Sequence, residues 1–112
     1  MSLVDRMKES RKVEVMVGEM KFMARRPTLE DFGKLYNDNV NSYEMSSRYV
    51  TGWDGVKEKH LFPEGSEELV TFSAELFREY ISDAPDVAEK IRDALVASLN
   101  DYVSKRDLLR KN

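Results

Sequence analysis

The sequence predicts an α+β fold, mainly α: a β-hairpin near the N-terminus, then three to four amphipathic helices with a central acidic loop. Three observations carry this expectation. Residues 12–26 alternate apolar and polar with period two about Gly18-Glu19. Beyond them, apolar residues recur at three- and four-residue steps, the period of one helix face. Between two such stretches, Gly52, Gly55, Pro63 and Gly65 break the pattern in a segment dense in charge. With 112 residues, 41% hydrophobic and no linker-like or low-complexity stretch, the chain is read as one domain, residues 1–112.

Taken in order, residues 1–12 mix charge with small residues without a period and are expected to be a mobile arm. The hairpin spans residues 13–26. Val13, Val15 and Val17 form the apolar side of its first strand, and Met20, Phe22 and Ala24 that of the second. Glycine at the first central position of a two-residue loop suits a type II′ turn, whose twist matches the strands. A lone two-stranded hairpin is marginal in water, so its apolar side must pack on helices or pair with another chain.

The helical body is placed at residues 28–103. Pro27 ends the second strand, Thr28 stands at a helix N-cap, and Asp31 follows three residues later. Leu29, Phe32, Leu35, Tyr36, Val40 and Tyr43 give the first stripe. Asn37, Asp38, Asn39 and Asn41 favour a break near residue 40, and Met45, Tyr49, Val50 and Trp53 then suggest a second helical stretch. Residues 52–71 read as loop with room for one helical turn. Ser73 caps a further helix, with Phe72 and Phe77 placed as a hydrophobic staple and Leu76, Tyr80 and Ile81 beside them. In Asp83-Ala84-Pro85-Asp86, a capping residue, a first-turn proline and an acid open the last helix, striped by Val87, Ile91, Leu95, Leu99, Tyr102 and Val103. Residues 104–112 are expected to be a frayed basic tail.

The chemistry available is narrow. With no cysteine there are no disulfides, thiolate metal sites or cysteine nucleophiles, and a single histidine, His60, removes any site that needs two imidazoles. Glu58, Glu64, Glu67 and Glu68 gather near His60, but Lys57 and Lys59 stand where a calcium loop needs oxygen ligands, so the segment reads as solvated loop. Ser46 and Ser47 lack the glycines of a nucleophile elbow, and no phosphate-binding glycine loop occurs. The expectation is a protein that is not an enzyme and uses no cofactor and no metal.

Charge is uneven along the chain. Residues 1–26 carry seven Lys/Arg against four Asp/Glu, residues 27–100 seven against fifteen, and residues 101–112 four against two. A body of net charge −8 between basic ends argues against a phosphate-tracking nucleic-acid surface. No apolar run approaches a membrane span, and MSLVDRMKESRK lacks the apolar centre of a signal peptide, so a soluble, cytoplasmic protein is expected. Val13, Val15, Val17, Met20, Phe22 and Trp53 are the candidate partner-binding or oligomerisation residues, and methionines at positions 7, 16, 20 and 23 suit an adaptable surface.

The order of Thr28-Leu29-Glu30-Asp31-Phe32 behind a hairpin, then Gly52-Trp53-Asp54-Gly55-Val56, an acidic loop, Val70-Thr71-Phe72-Ser73-Ala74-Glu75-Leu76-Phe77 and a closing helix resembles the tail assembly chaperones of long-tailed bacteriophages and prophages. The similarity covers roughly residues 13–103 and rests on order and spacing. It implies a non-catalytic protein that binds the tape measure protein, keeps its apolar helices soluble and helps recruit tail tube subunits. It implies also a protein of the bacterial host's cytoplasm that is absent from the mature virion. Gly52, Trp53, Gly55, Val56, Phe72 and Leu76 are the matched positions and look structural. The alternative is a small cytoplasmic adaptor or regulatory protein-binding module unrelated to tails.

Overall fold

The computed structural model describes residues 1–111. In chain order the elements are α1 (Leu3–Glu9), β1 (Lys12–Val17), β2 (Met20–Arg25), α2 (Leu29–Asn37), α3 (Ser42–Tyr49), β3 (Val50–Asp54), α4 (Glu58–Leu61), α5 (Ala74–Ser82) and α6 (Pro85–Arg110). The fold is α+β and mainly helical, built on a three-stranded antiparallel sheet in the order β1-β2-β3.

β1 and β2 form the hairpin in the register Val13↔Ala24, Val15↔Phe22, Val17↔Met20. Gly18 adopts φ +60° and Glu19 keeps a negative φ, the combination a type II′ turn requires. The hairpin does not stand alone. β3 pairs with β2, setting Trp53 opposite Phe22 and Val50 opposite Ala24, with a bulge between Met23 and Ala24 that leaves Thr51 over. Residues 50–53 are therefore strand, where the spacing of Tyr49, Val50 and Trp53 suggested helix. One face of the sheet, with Val15, Met20, Phe22, Ala24, Val50 and Trp53, is buried against the helices; the other exposes Lys12, Glu14, Met16, Arg25 and Thr51.

The break near residue 40 is a defined C-cap. Asn39 takes the left-handed conformation, φ 55°, with Asn39 N–H donating to the Tyr36 carbonyl and Val40 N–H to the Leu35 carbonyl. That pair of bonds is a Schellman motif, with asparagine where glycine is commoner. Thr28 caps α2 by accepting from Asp31 N–H, and Asn41 caps α3 by accepting from Glu44 N–H. Leu35 is the one fully buried residue of α2, and Tyr36 points to solvent: it lies one residue, about 100° of helix, away from the buried line. From α3, fully buried Ser46 donates its hydroxyl to the Ala88 carbonyl at 3.2 Å, tying α3 to α6.

Ser73 caps α5 through Leu76 N–H, and Phe72 packs on Phe77 with ring centroids 6.2 Å apart, the expected staple. Asp83 does not cap the next helix. Its backbone closes α5, and α6 starts behind Ala84 with Pro85 in its first turn. α6 runs 26 residues, about 39 Å at 1.5 Å per residue. It buries Val87, Ala88, Ile91, Leu95 and Leu99 along one line. Residues 104–110, expected to fray, continue this helix. Within the expected N-terminal arm, residues 3–9 form α1, capped by Ser2 and burying no residue.

Candidate binding surfaces

The residues of the Gly-Trp-Asp-Gly-Val stretch converge on one node. Trp53 is buried and packs edge-on against Phe22 (6.4 Å), Phe72 (5.3 Å) and Phe77 (6.4 Å). Its indole N–H donates to the Val70 carbonyl at 2.7 Å, so the ring joins β3 to the chain entering α5. Val56 is buried beside this node, and its carbonyl accepts from Val70 N–H. Leu76 packs against the same core half-buried. The two glycines differ. A Cβ on Gly55 would lie 2.6 Å from the Glu19 carbonyl oxygen in the hairpin turn, whereas one on Gly52 would meet only the flexible Met23 Cε, at 3.3 Å.

The acidic stretch behind Val56 is folded back on itself. Glu58 N–H donates to the Glu68 carbonyl, Lys59 N–H to Ser66, and Lys57 bridges Leu69. Gly65 fits because its Cα side lies against the Glu58 backbone, where a Cβ would come within 2.5 Å. His60 anchors the turn. Its Nδ1 accepts from Lys57 N–H at 2.8 Å, which leaves the neutral ring's proton on Nε2, 3.5 Å from a Glu19 carboxylate oxygen. Glu67 pairs with Lys59 at 2.7 Å and Lys57 at 3.1 Å, and these hydrogen bonds hold its carboxyl below the usual glutamate range. These carboxylates serve turn and surface geometry. Among the described residues, no three His, Asp or Glu side chains group as a metal site.

Of the hairpin residues proposed to meet a partner, Val15, Met20 and Phe22 are buried under the helices, and Val13 and Val17 pack half-buried against the same core. Their side chains form the interior. What the hairpin presents outward is its backbone: among the described residues β1 pairs with β2 on one side and no strand pairs with its other edge. Met16, 61% exposed, lies on the open face of β1, and α1 adds exposed Leu3, Val4 and Met7 just before that strand. A second surface is a groove of about 460 Å³ between α3, α5 and α6. Buried Ile81 and Ala88 form its floor, and Asn41, Tyr43, Ser82 and Pro85 its walls. Ile81 belongs to the α5 stripe legible in the sequence; Ala88 escapes notice there because alanine carries little hydrophobic signal.

Among the described residues no helix is long and apolar enough to cross a membrane. The chain matches no family model, no curated protein and no solved structure.

Proposed function

We propose that this chain is a non-catalytic tail assembly chaperone of the long-tailed phage type, holding the apolar helices of a tape measure protein and helping to recruit tail tube subunits in the bacterial cytoplasm. The observation that carries the reading is the ordered resemblance of Thr28–Phe32, Gly52–Val56 and Val70–Phe77 to that family. The geometry supports it in two ways. Trp53, Val56, Phe72 and Leu76 serve one structural node, as matched positions in a non-catalytic family should. In addition, an apolar-floored groove can take an anchor side chain of a helix, and an open strand edge can take an extended segment. The body charge of −8 keeps such a complex dispersed.

Self-association through the hairpin, on this reading, uses the β1 edge, since the apolar side chains face inward. Met16→Lys and Glu14→Pro test it by light scattering. Charges at Val15 or Phe22 would instead unfold the core, because an unpaired buried charge is far costlier than any edge contact.

Co-expression with a tape measure protein should raise that protein's soluble fraction, and Ser82→Arg, which fills the groove from its rim, should abolish the gain. An unchanged soluble fraction with the native chain refutes the chaperone reading. A different neighbour captured through the same groove selects the adaptor reading instead.

A further inference from the structure

The buried face of the sheet ends in arginine. Continuing the alternation of Met20, Phe22 and Ala24 by one step puts Arg26 on the same inward side, and it is only 6% exposed. Continuing Val17, Val15 and Val13 does the same for Arg11. The two sit opposite one another across the hairpin, with Arg26 N–H donating to the Arg11 carbonyl at 2.9 Å. Like charges directly opposed on one sheet face are destabilising. Tyr102 from α6 lies over the Arg26 guanidinium at 4.2 Å, and Arg106, one turn on, approaches the same ring at 5.9 Å.

Arg11 and Arg26 lack a counter-charge. Among the described residues no carboxylate comes within salt-bridge distance of Arg26 or Arg11, and the one hydrogen bond of the Arg26 side chain runs from Nη1 to the Pro27 carbonyl. Arg106 reaches Asp107 through Nη2, but its Nε is buried with no partner among the described residues. Arginine does not escape the cost by losing its proton, and a buried ion without a counter-charge is destabilising. The cation–π contact with Tyr102 offsets only part of that. Burial first, and then the nearby Arg11, pull the Arg26 guanidinium below its ordinary value, while Tyr102 acts in the opposite sense.

Arg11, Arg26 and Tyr102 line a cavity of about 100 Å³ together with Thr28 and Leu29. Thr28 caps and Leu29 opens α2, a nine-residue helix; with Asp31 N–H taken by the Thr28 hydroxyl, the Leu29 and Glu30 amides are left at the positive end of its dipole, beside the Glu30 and Asp31 carboxylates. Two arginines and the residues that open α2 thus line one small space. We infer that this cavity is a binding site for a compact oxyanion, a phosphate group held by Arg11, Arg26 and the Leu29 and Glu30 amides. The group can be free phosphate or the head of a small phosphomonoester. The site is separate from the groove and the β1 edge and does not rest on the chaperone reading.

The test uses the whole chain with inorganic phosphate, glycerol 3-phosphate and sodium chloride at matched ionic strength. Phosphate at about five times its Kd should raise Tm by roughly 4–8 °C over chloride and shift the amide resonances of Leu29 and Glu30. Arg11→Gln, at a partly exposed position, should weaken phosphate binding about tenfold, the loss of one charge-assisted hydrogen bond. In chloride alone that variant should melt no lower than the native chain, since it relieves the opposed charges; a purely structural Arg11 would melt lower in both salts. Equal binding of the ester assigns the site to phosphomonoesters, and binding of inorganic phosphate alone assigns it to the free ion. If phosphate raises Tm no further than chloride at matched ionic strength, or Arg11→Gln leaves the rise intact, the inference is overturned.

Discussion

Alanine substitution at four glycines separates two causes that sequence cannot distinguish. Gly18 has φ +60° and open space around its missing Cβ, so alanine there suffers only backbone strain, about 1–2 kcal/mol. Gly65 has no left-handed φ, but a Cβ would lie 2.5 Å from the Glu58 backbone and 2.7 Å from Lys59 N, so alanine there suffers only the collision, about 1–3 kcal/mol as for overpacking. Gly55 combines both terms, φ +70° and a 2.6 Å approach to the Glu19 carbonyl, which sum to about 2–5 kcal/mol. Gly52 has neither, and the Met23 Cε at 3.3 Å can swing aside, so alanine there should fall within about 0.5 kcal/mol of the native chain. Urea unfolding followed by Trp53 fluorescence gives all four values from midpoint and slope. The expected order of destabilisation is Gly55 first, Gly18 and Gly65 between, Gly52 last. A Gly52→Ala variant as damaged as Gly55→Ala would refute this separation of strain from collision, because nothing at Gly52 opposes a side chain.

Three further perturbations follow from the same geometry. Asn39→Val should cost about 1–2 kcal/mol because a β-branched residue resists the left-handed cap that asparagine tolerates, whereas Asn39→Gly should hold or raise the urea midpoint. Trp53→Phe keeps most of the ring packing but strips the Val70 carbonyl of its donor, a loss of about 1–3 kcal/mol, seen by calorimetry as a lower Tm. Burial raises the Tyr80 and Tyr49 hydroxyls above the ordinary value of 10.0. A raised folded pKa contributes stability below the unfolded value that is lost as pH rises through the folded one. Urea midpoints should therefore fall as pH climbs above 10, less steeply in Tyr80→Phe, and ultraviolet titration of the native chain should show late-ionising tyrosines.

Elements fixed by local chemistry are legible in the sequence. Gly18 in the turn, the caps at Thr28 and Ser73 and the Phe72–Phe77 staple each depend on residues within five positions of one another. β3 is not legible, for a physical reason. Its two inward residues, Val50 and Trp53, are three apart because the bulge against Met23 and Ala24 absorbs Thr51, and a spacing of three imitates a helix. The same kind of non-local fact hides the packing of the hairpin. Val15 and Phe22 are recognisable as an apolar face needing cover, but whether helices or a second chain supply it depends on contacts with α5 and α6 far along the sequence. The arginine pocket is half visible: the alternation that marks Phe22 and Ala24 as inward runs on to Arg26, while Tyr102 reaches it only through the length of α6.

The three strands are not joined on equal terms. β1 and β2 meet across a two-residue turn and can zip within microseconds, ahead of collapse of the remaining chain. β3 reaches β2 only after residues 26–49, with α2 and α3 inside them, have closed their loop at the entropic cost of a long connection. The sheet thus has an early seam and a late one. Amide exchange under native conditions should show the late seam as the weaker: protection at the β2–β3 bonds should fall before that at the β1–β2 bonds. When the late seam opens, the strand left bare is the one at the centre of the sheet, and Trp53 leaves the core with β3.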